Sequence, residues 1–344
     1  MPATLRIIWG YVMSALRLVV RVCKLVFFML SASVSMHAGA AAKFDAMDPL
    51  GTARKGHVSK RQAIAIDVVP GDWGNADVRD IKRVLDSVAG ELLTYVEPPS
   101  KDISIRVIPR SGSPKVLYER GAEGQYIIQL TARDGRWFQY VFQFAHELCH
   151  VLSNFDHKET IGDEKVDESN QWFEESLCET ASLFTLRRLA VVWEANPPTR
   201  NWSGYGNMFS AYATHLMSES HRHLPAGQSF LDWYAQNKSS LSGSPYLREK
   251  NELVAAKLLP LFEAHPELWQ SIPYLNPAKS SAGKPFAQYV ADWQAASPDK
   301  TLPDQVLQLF GLPYGGRVAV AGGGSPEKLA ATATPKSMNG PAGD

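Results

Sequence analysis

The sequence predicts an α+β fold, with a small N-terminal α/β sheet half and a mostly helical C-terminal half. Short strand-like segments lie before residue 131, whereas apolar residues recur at helical spacing between residues 137 and about 312. Hydrophobic residues make up 45% of the chain, which is ample for a packed core. Lysine plus arginine and aspartate plus glutamate number 35 each, and this balance excludes a strongly basic nucleic-acid-binding protein.

Residues 1–40 have the pattern of an export signal. They contain four cations and no acid, and an apolar run from Leu25 to Met36 is followed by small residues at 38–42. This order is typical of a cleaved secretory signal, and the alternative is an uncleaved membrane anchor. In either case we expect the main domain to lie in the periplasm or outside the cell.

The rest of the chain is expected to have three parts. Residues 41–60 are polar and predict a linker, and residues 61–314 predict one domain. Residues 315–344 are low in large apolar side chains and predict a disordered tail.

Three strands and one helix are expected in the sheet half. The strands are predicted at 64–69, 103–108 and 125–130. Apolar residues at helical spacing predict a helix over 76–96, which Pro98 and Pro99 end. Residues 111–114 are expected to form a turn.

Long helices are expected in the C-terminal half. One is predicted over 137–152 and a second over 172–193, followed by Pro197 and Pro198. A polar, acid-rich loop is expected between these two helices. Further helical segments are predicted up to Leu312.

The first of these helices carries the HExxH motif His146-Glu147-Leu148-Cys149-His150. Histidines four residues apart lie on one helix face and can bind a single Zn²⁺. Glu147 lies beside them, where it can take a proton from the attacking water. Because the surrounding residues are apolar, these polar groups are costly to bury unless they are paired or bound to metal. The motif therefore predicts a zinc site.

A catalytic zinc needs a third protein ligand and one open position. Two acids compete for the ligand role. Asp156 lies six residues after His150, at the spacing of the third ligand in metzincins, although Ser153 stands where that motif has glycine. Glu175 lies on the second predicted helix, within the segment WFEESLCE at 172–179.

This segment resembles the second-helix motif of gluzincins, the thermolysin and aminopeptidase N group of zinc metallopeptidases. The resemblance implies a zincin-like catalytic domain in which Glu175 is the third zinc ligand, and we therefore favour it over Asp156. It also implies that Glu179, one turn further along, holds a ligand histidine and fixes its tautomer and orientation.

The resemblance implies two further features. The strand predicted at 125–130 precedes the HExxH helix, where zincins have the edge strand that pairs with an extended peptide substrate. Tyr205, which opens the segment YGNMF, is similar to the tyrosine that stabilises the tetrahedral intermediate in aminopeptidase N-like enzymes. A packing role for Tyr205 is the alternative. Other candidate donors are His215, His221 and His223.

Cys149 and Cys178 lie on the two helices predicted to carry the zinc ligands. In an oxidising compartment they can form a disulfide. The alternative is that they are small buried residues at the helix interface.

Together these features predict an exported zinc metallopeptidase that acts on a peptide or protein substrate. Glu147 would be the general base and Tyr205 the donor to the oxyanion. One alternative is a catalytically idle zincin-fold binding protein, which the intact Glu147 disfavours. The other is a zinc hydrolase that acts on a non-peptide amide or ester. We expect no nucleic-acid partner, and membrane contact only through an uncleaved N-terminal segment; the sequence does not specify the oligomeric state.

Overall fold

The computed structural model describes residues 64–96, 102–158 and 168–313. The predicted signal or anchor, the linker and the C-terminal tail lie outside the described residues. The strands in the described part are β1 (Ala65–Val68), β2 (Ser104–Pro109), β3 (Lys115–Val116) and β4 (Tyr126–Leu130). The α-helices there are α1 (Val78–Leu92), α2 (Trp137–Leu152), α3 (Gln171–Ala195), α4 (Gly206–Met217), α5 (Phe230–Gly243), α6 (Arg248–Ala264), α7 (Phe286–Ala296) and α8 (Thr301–Leu309). Short 3₁₀ helices include Phe155–Lys158, Ser220–Arg222 and Pro266–Tyr274.

The α+β class predicted from the sequence is confirmed, with a small four-stranded sheet followed by a larger helical part. Each predicted strand and each of the two long predicted helices is present within a few residues of its expected ends. The apolar periodicity of these segments explains the agreement, because it matches the faces that they bury. Helix α1 is an example: the Asp77 side chain accepts a hydrogen bond from the Arg79 N–H at its start, and Ile81, Leu85 and Val88 are fully buried.

The sheet has the strand order β1-β2-β4-β3. Strands β1, β2 and β4 are parallel, whereas β3 is antiparallel to β4 and lies at the edge. The expectation that residues 125–130 form the edge strand is therefore wrong, because β4 has a neighbour on both sides. The edge strand is the two-residue β3, which follows the predicted turn at 111–114 and is too short to show a periodic pattern.

Helix α3 is the central helix of the molecule. Between Trp172 and Leu186 every residue is buried except Glu175. A helix segment that is buried on all sides must be surrounded by other elements. Helix α3 packs against α2, α4 and α6. The one partly exposed position on this stretch therefore marks where α3 reaches a cleft.

Within the described residues no helix is both long enough and apolar enough to span a membrane. The longest, α3, contains Glu174, Glu175 and Glu179 on its first turns.

Candidate metal centre

Helices α2 and α3 pack side by side and bring the predicted ligands together. On α2, every residue between Phe144 and Ser153 is buried except His146. Glu175 is the corresponding exception on the buried stretch of α3. Both side chains line the same cleft, which has a volume of about 1040 Å³ and also contains Glu147 and His150. The buried stretches of the two helices thus open to the cleft at one position each, and both positions are polar residues that the motifs single out.

The spacing of the donor atoms fits a tetrahedral metal ion. The Nε2 atom of His146 lies 3.2 Å from Glu175 Oε2, and the Nε2 atom of His150 lies 3.6 Å from Glu175 Oε1. Ligand atoms about 2.1 Å from a tetrahedral zinc are about 3.4 Å from one another. Two imidazoles and one carboxylate are also a donor set that zinc enzymes use. The donor types and these two distances, each to a different oxygen of Glu175, are compatible with a bound metal ion.

Cys178 offers an alternative third donor. Its sulfur and one nitrogen of each of His146 and His150 lie within 4.8 Å of one another. The thiol is fully buried, however, and it is not among the residues that line the cleft. We favour Glu175, because it lies on the cleft side, where a water and a substrate can reach the open position.

The two cysteines are free thiols in the structure. They are buried and in hydrogen-bond contact with each other at the interface between α2 and α3. Of the two roles predicted for them, the structure shows the packing role.

Asp156 lies away from the two histidines. Asn154 ends the turn after α2 with a positive φ of 57°, so it makes the sharp turn for which metzincins use glycine. The turn leads Asp156 to an ion pair with Arg120, whose guanidinium also stacks 3.2 Å above the Tyr126 ring. The structure therefore brings Glu175, and not Asp156, to the histidines.

Glu147 is buried and faces the cleft beside the histidines. Val116 of β3 lines the same cleft. Burial raises the pKa of Glu147 above the ordinary value, against the lowering effect of His146 and His150. A raised pKa suits a general base, since it brings proton affinity closer to neutral pH.

The charges around the centre attract cations. Burial would lower the pKa of His150, but the charge of Glu175 and the hydrogen bond to Glu174 outweigh it and raise the pKa to about 10. The pKa of His146 is also raised: burial would lower it, but other effects, mainly the hydrogen bond to Glu175, outweigh burial. Burial would raise the pKa of Glu175, but the two histidines hold it well below the ordinary value. The centre is therefore a buried anionic environment that positive charge stabilises.

Glu179 is buried one turn after Glu175, but it does not make the expected hydrogen bond. Its Oε2 atom lies 4.0 Å from His146 Nδ1, which is beyond hydrogen-bond distance. Its other oxygen accepts a hydrogen bond from Arg222 at 2.7 Å. Arg222 is fully buried and also pairs with Glu252 at 3.2 Å.

Glu174, the first acid of the Glu174-Glu175 pair, makes the closest contact with a ligand histidine. Its Oε1 atom lies 2.6 Å from His150 Nδ1. This role could have been predicted from the sequence. Adjacent residues of a helix point about 100° apart, so Glu174 and Glu175 can contact different groups. The partners of Glu174 outside the motifs, Lys158 and Asn276, have no sequence signal.

Tyr205 is not at the cleft. Its hydroxyl donates to the Gly135 carbonyl at 3.0 Å and accepts from the Trp137 N–H at 3.1 Å, so it satisfies the N-terminus of α2. Nine residues of helix, about 13 Å of axial rise, separate Trp137 from His146. The ring packs against Trp193 and other aromatic residues. The Tyr205 hydroxyl is therefore hydrogen-bonded at the start of α2, outside the cleft.

The three alternative histidines also lie outside the cleft lining. His215 and His223 are exposed, and His221 pairs with Glu252. The tyrosines that do line the cleft are Tyr118, Tyr212 and Tyr246. No family model and no curated protein matches this chain.

Proposed function

We propose that this chain is an exported, gluzincin-like zinc metallopeptidase with a zincin-like catalytic domain at residues 61–314. One observation carries the proposal: His146 and His150 each have Nε2 within 3.6 Å of an oxygen of Glu175, in a cleft that also contains the buried carboxylate of Glu147. A structural metal site has no use for such an acid, whereas hydrolysis needs a base beside the metal.

Each of these side chains has a distinct role. His146, His150 and Glu175 would hold Zn²⁺, which when bound activates water and polarises the substrate carbonyl. Glu147 takes the proton from the attacking water and passes it to the leaving amine. Its burial strengthens this role, because a dry carboxylate has a raised proton affinity.

The edge strand supports a peptide or protein as the substrate. Strand β3 is antiparallel to β4 and has no strand on its other side among the described residues. An open edge of this kind can pair with an extended peptide. Val116 connects the two parts of the site, since it lies on β3 and lines the same cleft as Glu147. A peptide bound along β3 would thus pass the general base.

The donor to the oxyanion is expected among the tyrosines of the cleft. Tyr118, Tyr212 and Tyr246 all line it, whereas the hydroxyl of Tyr205 is occupied at the start of α2. A donor in such a site typically contributes a hundred- to a thousandfold to turnover, so replacing the right tyrosine with phenylalanine should cost about that factor.

A peptide-library digest tests the proposal. The purified protein should cleave peptides, lose this activity with a zinc chelator, and regain it when zinc is added back. Cleavage products identified by mass also separate endopeptidase from exopeptidase action. A zinc-loaded protein that cleaves ester or amide model compounds and no peptide would favour the non-peptide hydrolase instead.

A further inference from the structure

Glu174 is the most heavily hydrogen-bonded carboxylate of the centre. It is 1% exposed, and it contacts His150 Nδ1, Ser153 Oγ, Lys158 Nζ and Asn276 Nδ2. Three of these contacts are to Oε1, and the fourth, from Asn276, is to Oε2. Glu174, as an ionised carboxylate, accepts from every one of these neighbours.

This arrangement decides which nitrogen of His150 faces the metal. A carboxylate that only accepts requires a proton on His150 Nδ1, which lies 2.6 Å away. When the imidazole is neutral, as metal binding requires, the lone pair is then on Nε2, the atom that lies 3.6 Å from Glu175 on the cleft side. The orientation of Glu174 thus fixes both the tautomer and the direction of this ligand.

Two residues from outside the ligand helices hold Glu174 in place. Lys158, in the 3₁₀ helix after α2, is buried at 6% exposure and forms an ion pair with Oε1. Asn276 follows the 3₁₀ helix Pro266–Tyr274, more than 100 residues further along the chain, and donates to Oε2 at 2.8 Å. The two oxygens are therefore held separately.

The side-chain amide of Asn276 has a single consistent orientation. Its Nδ2 atom lies 2.9 Å from the Ser153 carbonyl as well as 2.8 Å from Glu174, and both of these groups are acceptors. Its Oδ1 atom accepts from the Tyr289 hydroxyl of α7 at 2.8 Å. If the amide were flipped, Oδ1 would face two acceptors, the Ser153 carbonyl and the Glu174 carboxylate. The contacts with Tyr289 and with Glu174 therefore favour the same orientation.

We propose that Asn276 is a positioning residue of the metal centre, which acts through Glu174 on His150 and is itself oriented by Tyr289. The C-terminal helical region thereby sets the affinity for zinc without supplying a ligand. This inference rests on the proposed function, since it assumes that His150 binds the metal. The reason for an effect on affinity is that a freely rotating imidazole must be ordered when zinc binds, whereas one held by Glu174 is ordered beforehand.

The experiment measures the zinc dissociation constant of the full chain by competition with a chelating dye, together with the melting temperature of the metal-free protein. Asn276→Ala should weaken zinc binding about tenfold, the lower end of the range for partners behind a ligand. Tyr289→Phe removes one hydroxyl and should weaken it about two- to threefold, the effect of one neutral hydrogen bond.

Asn170→Ala is the matched control. Asn170 is also a buried asparagine, and its Nδ2 atom joins two distant carbonyls, those of Ala282 and Lys284, at 2.8 and 2.7 Å. Its side chain makes no hydrogen bond to Glu174 among the described residues. Its replacement should lower the melting temperature as Asn276→Ala does, while the dissociation constant stays at the wild-type value.

Two results would overturn the inference while leaving the proposed function intact. One is a wild-type dissociation constant in both Asn276→Ala and Tyr289→Phe. The other is equal weakening in Asn170→Ala, which would show that any loss of stability lowers the affinity. A wild-type chain that binds no zinc would overturn the inference and the proposed function together.

Discussion

The helix pair α2–α3 and the edge strand β3 line the same cleft, but the chain builds them differently. On the helices, Glu147, His150, Glu174 and Glu179 are buried, and partners far along the chain hold two of them, as Asn276 does for Glu174 and Arg222 for Glu179. Strand β3 has two residues, of which Lys115 is exposed and Val116 half-buried. The helix side is thus held by long-range contacts, as the proposed metal binding would require, and the strand side is left open, as pairing with the proposed substrate would require.

A similar contrast exists between the two histidines. His150 is held at 2.6 Å by Glu174, whereas the nearest carboxylate to His146 Nδ1 is 4.0 Å away, on Glu179. Glu179 is instead held by Arg222 at 2.7 Å. On the Nδ1 side, His150 is therefore held closely by a carboxylate, whereas His146 has none within hydrogen-bond distance among the described residues. If the helix pair α2–α3 and strand β3 differ in this way, substitutions of the proposed ligands on the helices should alter metal binding. Substitutions on β3 should alter catalysis alone.

The largest effect is expected from Glu175→Ala. Removing this carboxylate takes away the third ligand, so zinc content should fall from about one ion per chain to near zero, and activity with it. Cys178→Ala and Asp156→Ala are the controls, and both should keep their zinc. Metal analysis of the purified variants gives the answer. Zinc retained in Glu175→Ala and lost in Cys178→Ala would identify the thiol as the ligand.

Glu147→Gln separates base catalysis from metal binding. The amide keeps the shape of the side chain but cannot take up a proton, so turnover should fall about a hundred- to ten-thousandfold. Zinc content should stay at the wild-type level, because Glu147 is not a ligand. Parallel assays of peptide hydrolysis and bound zinc test both statements. Loss of the metal in this variant would contradict the role assigned to Glu147.

Val116→Pro tests the strand side alone. Val116 lies on the edge strand in the cleft, and proline there removes a backbone N–H with which a bound peptide could pair. Losing one such hydrogen bond should lower kcat/KM about three- to tenfold. The zinc dissociation constant should not change. If it rose together with the loss of activity, the two regions would not be separable.

Tyr205→Phe should have the smallest effect on activity. The hydroxyl satisfies the start of α2, and its loss should lower the free energy of unfolding by about 1–2 kcal/mol for two hydrogen bonds. Turnover per bound zinc should remain at the wild-type value. Denaturant unfolding and peptide hydrolysis measure the two quantities. A hundredfold loss of turnover would instead restore Tyr205 as the oxyanion donor.

The sequence by itself determined the α+β class, the two long helices and the positions of His146, His150 and Glu175 on them. All of these depend on local spacing: apolar periodicity defines a helix, and residues four apart share a face whatever the rest of the chain does. Even the choice of Glu175 over Asp156 came from a local motif, and the structure brings Glu175 to the histidines.

The tertiary structure alone decided the contacts between distant segments. Strand β3 is defined by its pairing with β4, because two residues carry no periodic pattern. Tyr205 reaches the start of α2 because its ring packs against Trp193 on α3, a contact that its own segment does not encode. Asn276 reaches Glu174 across more than 100 residues of chain. Such contacts follow from how whole helices pack, and packing depends on all of the surfaces that meet at once.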